Sequence, residues 1–350
     1  MFTIKNISYT IEDLKKSYLI ALNKDVLEDW EYSFWCFIKQ WFDETQEIIK
    51  IKTSGSTGTP KTISHRKEYM LASAKMTCNF FKLNNTKTAL LCLPTSSVGG
   101  LMMIVRSLVS GMNLIIQKPS SNPLIDLNQK IDFIAMVPLQ VQKSIAESSA
   151  KWSLVKEVII GGGKVADSLE KSLLKNDIKA YNTFGMTETI SHVALKRIGP
   201  GPIFKALTGC SFTVNKNNCL IINAPSIGLR NLLTNDVVNR VDSTKFEWLG
   251  RLDNAIETGG IKVLPEKLEE KITHLMSTRF FISSVPDKLL NNKLVLLIEG
   301  KEIDFSSSKL NDFLSLYERP KEIHFIHAFE DSKTGKFSRK LTREKFINNN

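Results

Sequence analysis

Along residues 68–81 the apolar positions Met70, Leu71, Ala74, Cys78 and Phe81 fall on one helical stripe. Beyond it, short apolar runs at 88–93, 113–117, 132–137, 155–160 and 178–181 alternate with helical stretches such as 167–175. Helical period alternating with short strand-like runs is the sign of an α/β sheet, and these strands are expected to be mostly parallel. After Gly250-Arg-Leu-Asp253 the pattern changes to a short strand at 261–264, a helix at 266–276, strands at 280–285 and 293–299, a helix at 308–317 and a strand at 322–328. That order predicts a compact α+β unit. The expectation is therefore an α/β protein: a large N-terminal domain over 1–252 and a small C-terminal domain over 253–350, with the boundary at Asp253.

Open α/β sheets bind ligands beyond the carboxyl ends of their strands. Three such ends carry unusual residues here: Pro94-Thr-Ser-Ser-Val-Gly-Gly100, Gly161-Gly-Gly163 and Asn182-Thr-Phe-Gly-Met-Thr-Glu188. Any one could be turn punctuation, but three at equivalent positions point to one crevice. Ahead of them, Trp30, Phe34, Trp35, Ile38, Trp41 and Phe42 make the leader apolar enough to pack on the main sheet.

Composition narrows the partners. The chain has 350 residues and a net charge of +11, which suits polyanions without choosing among them. Its lysines are dispersed and no basic run is interleaved with aromatics, so nucleic acid is not expected. Five cysteines include no C-x-x-C pair and five histidines have no ligand spacing beside them, which argues against zinc and disulfides. The longest apolar run, 98–105, is too short for a membrane span, and no secretory pattern opens the chain. A cytoplasmic protein with no stable membrane anchor is expected.

The densest candidate chemistry is the loop Thr53-Ser-Gly-Ser-Thr-Gly-Thr-Pro-Lys61. Gly55 and Gly58 let the backbone approach phosphate oxygens, Ser54, Ser56 and Thr57 can donate to them, and Lys61 adds charge. The lysine does not directly follow the second glycine, so this is not the P-loop of NTPases. A flexible Ser/Gly turn is the alternative for any few of these residues.

With Tyr181-Asn-Thr-Phe-Gly-Met-Thr-Glu-Thr189, Leu249-Gly-Arg-Leu-Asp253 and Gly335-Lys-Phe-Ser-Arg339 following in order, the chain resembles the acyl- and aryl-CoA synthetase/luciferase superfamily of adenylate-forming enzymes. The resemblance spans about residues 50 to 340 and implies ATP, Mg2+ and coenzyme A acting with a small carboxylic acid. It implies that Thr53, Ser54, Gly55, Ser56, Thr57, Gly58 and Lys61 hold the departing pyrophosphate, and that Gly161, Gly162 and Gly163 line an adenine pocket with Asn182, Thr183, Phe184, Gly185 and Met186. Thr187 would bond the α-phosphate and Glu188 the magnesium, a hard oxygen for a hard cation. Asp236 and Arg251 would grip the ribose, although Asn235 stands where the family usually has glycine. Lys336 would stabilise charge building on the α-phosphate during attack. Asp253 would be the hinge, about which Gly259, Gly260 and Lys262 swing towards the thiol. Taken without their motifs, Phe184 is plain core, Glu188 a solvated carboxylate and Lys336 a tail lysine.

The segments 185–191 and 93–106 are most similar to the branch that activates o-succinylbenzoate, which places Ser97, Gly100 and Ser191 near the acid or coenzyme A. Many relatives carry Pro-Leu-Phe-His where this chain has Pro94-Thr-Ser-Ser97, so His65 or His192 is left to take that histidine's part, unless either is merely structural. Another aryl or fatty acid, or a nucleotide-binding protein without catalysis, are the alternatives; a homodimer is left open.

Overall fold

The computed structural model describes residues 1–22, 27–52, 62–163, 165–302, 305–331 and 337–348. Through the first half of the chain run β1 (Phe2–Ile4), β2 (Ile7–Tyr9), α1 (Ile11–Leu22), α2 (Asp29–Phe42), β3 (Ile48–Lys52), β4 (Thr62–Arg66), α3 (Lys67–Phe81), β5 (Thr88–Leu91), α4 (Val98–Ser110), β6 (Asn113–Ile116), β7 (Phe133–Met136), α5 (Pro138–Glu147), β8 (Val158–Ile160), α6 (Asp167–Lys175) and β9 (Ala180–Gly185). Strands β1, β6, β5, β7, β8 and β9 lie side by side in that order, all parallel. All four residues of β7 and all three of β8 are buried, as parallel strands covered on both faces must be.

Local chemistry sets the helix ends. Ser97 caps α4, its Oγ accepting from the Gly100 N–H at 3.3 Å, and Gly111 closes the helix in the left-handed region at φ 73°. Thr10 and Asp13 cap α1 reciprocally through backbone bonds of 2.8 and 3.1 Å. The leader packs as its apolar pattern predicts. Phe34, Trp35 and Ile38 are buried in the main core, with Trp30, Trp41 and Phe42 against it.

From β9 the sheet continues in the opposite sense. β10 (His192–Arg197), β11 (Ile203–Ala206), β12 (Ser211–Val214), β13 (Cys219–Ala224), β14 (Leu229–Arg240) and β15 (Lys245–Arg251) add the order β9-β10-β11-β15-β14-β13-β12. Every one of these pairings is antiparallel. The five strands read from the sequence, β5 to β9, are all parallel as expected; the antiparallel half, β10 to β15, had no counterpart in that reading. Among the described residues that sheet has thirteen strands.

The remaining elements are β16 (Ile256–Thr258), β17 (Ile261–Val263), α7 (Pro265–Ile272), β18 (Phe280–Asp287), β19 (Asn291–Glu299), β20 (Glu322–Ile326) and α8 (Arg339–Asn348). Their buried apolar residues form clusters drawn from 256 onward, whereas the two larger clusters draw on residues up to 246. One expected element is corrected: in place of a helix over 308–317 there is one 3-10 turn, Ser307–Leu310. The competing bonds are visible. Glu318 accepts from the Ser315 N–H at 3.0 Å, and Arg319 takes the Leu314 and Asn311 carbonyls at 2.9 and 3.2 Å, which removes the partners a helix would use.

Candidate active site

β9, between β8 and β10, carries the expected motif to its carboxyl end. Thr183 stands over Gly161, so close that a Cβ on the glycine would come within 2.6 Å of the threonine Oγ1. Gly162 and Gly163 follow against Val137 and Pro138. The Phe184 ring is only 9% exposed and packs edge-on against Phe204 and Phe246, at 5.8 and 5.0 Å; the structure uses that ring as core. Asn182 and Thr183 are half-buried.

After Gly185 the chain makes a 3-10 turn, Thr187–Thr189, and returns as β10. The return is tight: a Cβ on Gly185 would lie 2.4 Å from the Ser191 carbonyl oxygen and 2.6 Å from the His192 Cα. Both obstacles are backbone and cannot give. Gly185→Ala is therefore expected to cost about 1–3 kcal/mol of stability and to displace Thr187 and Glu188, read as a lowered unfolding midpoint together with lost ATP turnover. An unchanged midpoint and rate would mean that β9 and β10 part more easily than their spacing implies.

Glu188 is exposed at the tip of this turn and Thr187 is half-buried. His65, on β4, is buried close enough to the Thr187 backbone and to Glu188 for both to favour its charged form; burial, the larger effect, holds its pKa below the ordinary imidazole range. β4 pairs antiparallel with β3 in a register that ends at Lys52 opposite Thr62. The two ends of the loop holding Thr53, Ser54, Gly55, Ser56, Thr57, Gly58 and Lys61 are thus brought to the strand whose histidine meets Thr187. The loop itself, like Lys336, lies outside the described residues.

A second group sits on β14 and β15, where Asp236 and Arg251 are direct cross-strand partners. Asp236 is buried, its Oδ1 accepting from the Trp248 Nε1–H at 2.8 Å. Burial pushes its carboxyl upward, while Trp248 and Arg251 pull it back. Arg251 forks onto Asp253 through Nε at 2.9 Å and Nη2 at 2.6 Å, so the expected ribose arginine clasps the expected hinge residue. Gly259 and Gly260 join β16 to β17 at φ 56° and 78°, the two positive values that a type I′ hairpin turn requires. Lys262 in that hairpin is near enough to Cys219 for its charge to act on the thiol.

A third group is buried beneath β10. Arg106 is 1% exposed, in the otherwise apolar α4, and none of the ion pairs among the described residues involves it. Its Nη2 donates to Ser191 Oγ at 2.8 Å, Nη1 meets the Met103 sulfur at 3.6 Å, and Nε has no partner. Burial lowers its pKa to about 10, so it stays charged at neutral pH. A buried cation without an anion is costly, and its setting asks for an anionic ligand. Sequence reading gave Arg106 no role of its own, although it closes the segment 93–106 that carried the resemblance; the available signal was a single charge within a thirteen-residue helix. Ser97 and Gly100 lie in the same helix's first turn, where Ser97 Oγ also donates to the Pro94 carbonyl at 2.7 Å and Gly100 abuts that carbonyl.

The AMP-binding enzyme family matches residues 19–223, more than half of the chain. The chain belongs to that family. This AMP-binding enzyme is similar to the 2-succinylbenzoate–CoA ligase of Haemophilus influenzae, 28% identical over 280 residues, and spans 61% of that protein's length with 75% of its own. It is likewise similar to the enzyme of that name from Escherichia coli K12, 26% identical over 312 residues covering 83% of this chain and 67% of that one. Among solved structures, an acyl-CoA synthetase (AMP-forming)/AMP-acid ligase II-like protein from Dyadobacter fermentans superposes with a TM-score of 0.63 at 30% identity, over 96% of this chain and 98% of that one. The o-succinylbenzoate coenzyme A synthetase of Bacillus subtilis, in complex with ATP and magnesium, shares the fold at a TM-score of 0.73 and 17% identity, over 98% and 83% of the two chains.

Among the described residues no cluster of three or more His, Cys, Asp or Glu is placed to hold a metal, and no helix is long and apolar enough to cross a membrane. The lone exposed carboxylate of Glu188 fits a magnesium ion whose other ligands are phosphates and water.

Proposed function

We propose that this AMP-binding enzyme is a carboxylate–CoA ligase that converts o-succinylbenzoate, ATP and coenzyme A to o-succinylbenzoyl-CoA, AMP and pyrophosphate. A carboxylate oxygen of the acid attacks the α-phosphorus and the bond to pyrophosphate breaks; the coenzyme A thiolate then attacks the acyl carbon and AMP departs. The Thr53–Lys61 loop holds the β- and γ-phosphates, Thr187 the α-phosphate, and Asp236 with Arg251 the ribose. Glu188 holds the magnesium that neutralises phosphate charge. Residues 253–350 turn as a unit about Asp253 between the two steps, exchanging Lys336 for the backbone of Gly259 and Gly260.

The observation that carries the choice of acid is Arg106. o-Succinylbenzoate has two carboxylates, so one can react while the other answers a buried guanidinium beside Ser191. A fatty acid would leave that charge unmatched. Exchange of labelled pyrophosphate into ATP, run with a panel of acids, is the test. Exchange is expected with o-succinylbenzoate and is expected to fall at least about tenfold with 4-oxo-4-phenylbutanoate, which lacks the ring carboxylate. Equal exchange with both acids, or exchange only with fatty acids, would sink the substrate assignment and leave the adenylation reading standing.

A further inference from the structure

Ser191 is held unusually firmly by its own backbone. Ile190, a β-branched residue, sits at φ 67° and ψ −51°, and the Ser191 N–H reaches back to the Thr189 carbonyl at 2.7 Å. This is the γ-turn of positive φ, a rare and strained conformation that recurs at functional sites. Thr189 locks it from within: its buried hydroxyl accepts from the Met186 N–H at 2.9 Å and donates to the Ser191 carbonyl at 2.6 Å. What the backbone leaves free is the rotation of the Ser191 hydroxyl.

Two neighbours fix that rotation. Arg106 donates to Ser191 Oγ, and His192 Nδ1 lies 3.3 Å from the same oxygen. The other ring nitrogen of His192, Nε2, lies 3.2 Å from Thr77 Oγ1 on α3. His192 is 4% exposed. Burial holds its pKa well below the usual imidazole range, with the Arg106 charge acting in the same direction, so the ring is neutral and carries one proton. Arginine can only donate. If Nδ1–H donates as well, both lone pairs of Ser191 Oγ are occupied and its proton has one direction left, outward. Nε2 then accepts from the Thr77 hydroxyl at 3.2 Å, a shorter reach than that hydroxyl's other acceptor, the Ser73 carbonyl at 3.4 Å.

We propose that His192 is a positioning residue: through the order Thr77, His192, Ser191 it turns the serine hydroxyl proton towards the acid, making selectivity depend on a histidine that does not touch substrate. This rests on the ligase reading above. An Asn side chain can place an amide N–H near the Nδ1 position, whereas Gln reaches only the Nε2 position.

The experiment is a double-mutant cycle on the full chain, with unfolding midpoint and ATP affinity recorded for each variant. His192→Ala is expected to raise KM for o-succinylbenzoate about tenfold while kcat and KM for ATP change less than about threefold, the scale of one neutral hydrogen bond. His192→Asn should recover most of that loss and His192→Gln little of it. Because the effect travels through Ser191, His192→Ala should add nothing to Ser191→Ala. Additive losses, equal behaviour of the Asn and Gln variants, or a fall in kcat and ATP affinity alongside KM would each overturn the assignment. Should the wild-type protein reject o-succinylbenzoate and accept another acid, the substrate reading fails separately. The same cycle, run with the accepted acid, then decides on His192 by the same criteria.

Discussion

Lys336→Ala is expected to abolish adenylation while sparing thioester formation from a supplied acyl-adenylate. In the first half-reaction a carboxylate approaches a phosphate that is already anionic, and the charge at the α-phosphorus rises towards the transition state. A positioned ammonium binds that state better than the ground state, and removing such a donor costs roughly 3–4 kcal/mol, about a hundredfold or more in rate. The residues beside Lys336 are well anchored. Asp331 and Phe337 form an antiparallel bridge, the Phe337 ring packs on Phe281 and Phe329 at 5.2 Å each, and Arg339 forks onto Glu269 of α7. Loss of a lysine beside such a frame should leave folding intact, so the two half-reactions can be compared in a protein with an unchanged unfolding midpoint. Pyrophosphate exchange reads the first step and release of AMP from the adenylate reads the second. Equal loss of both would remove Lys336 from the adenylation step.

The parts of this protein that sequence exposes are those in which one interaction dominates. β5, β7 and β8 are covered on both faces, so their residues form continuous apolar runs bounded by turns. β14 has no such signature: exposed and buried residues are irregularly mixed along its twelve positions, and its pairing slips at Val237. The supposed helix at 308–317 has helical spacing, yet Glu318 and Arg319 claim its backbone groups, a competition that periodicity does not register. At the site, glycine and hydroxyl residues announced the turn at 185–191 because backbone geometry restricts them. The partners of those residues were hidden. Trp248 on Asp236, and Thr77 on His192 from 115 positions away, meet only when the sheet brings distant segments together.

Arg106→Met is expected to separate stability from function in a way that few substitutions can. Burial lowers the guanidinium pKa to about 10, which corresponds to about 3 kcal/mol of unfavourable desolvation. The sign follows from the direction of the shift. A cation whose pKa is lowered on folding destabilises the folded state at every pH below the lowered value, and the cost fades only as pH rises through about 10 towards the unfolded value. At neutral pH the full cost is present, and no carboxylate among the described residues offsets it. Methionine has comparable length, no charge to desolvate and a flexible thioether that suits a site where the Met103 sulfur already meets the side chain. The variant should unfold at the same temperature as the parent or a few degrees higher. Its KM for o-succinylbenzoate should nevertheless rise about ten- to a hundredfold, the worth of a buried charge-assisted hydrogen bond to a carboxylate. Discrimination against 4-oxo-4-phenylbutanoate should disappear with it. A destabilised variant that keeps its preference would make Arg106 a structural residue; a stable variant that loses its preference would identify a buried charge kept for the ligand.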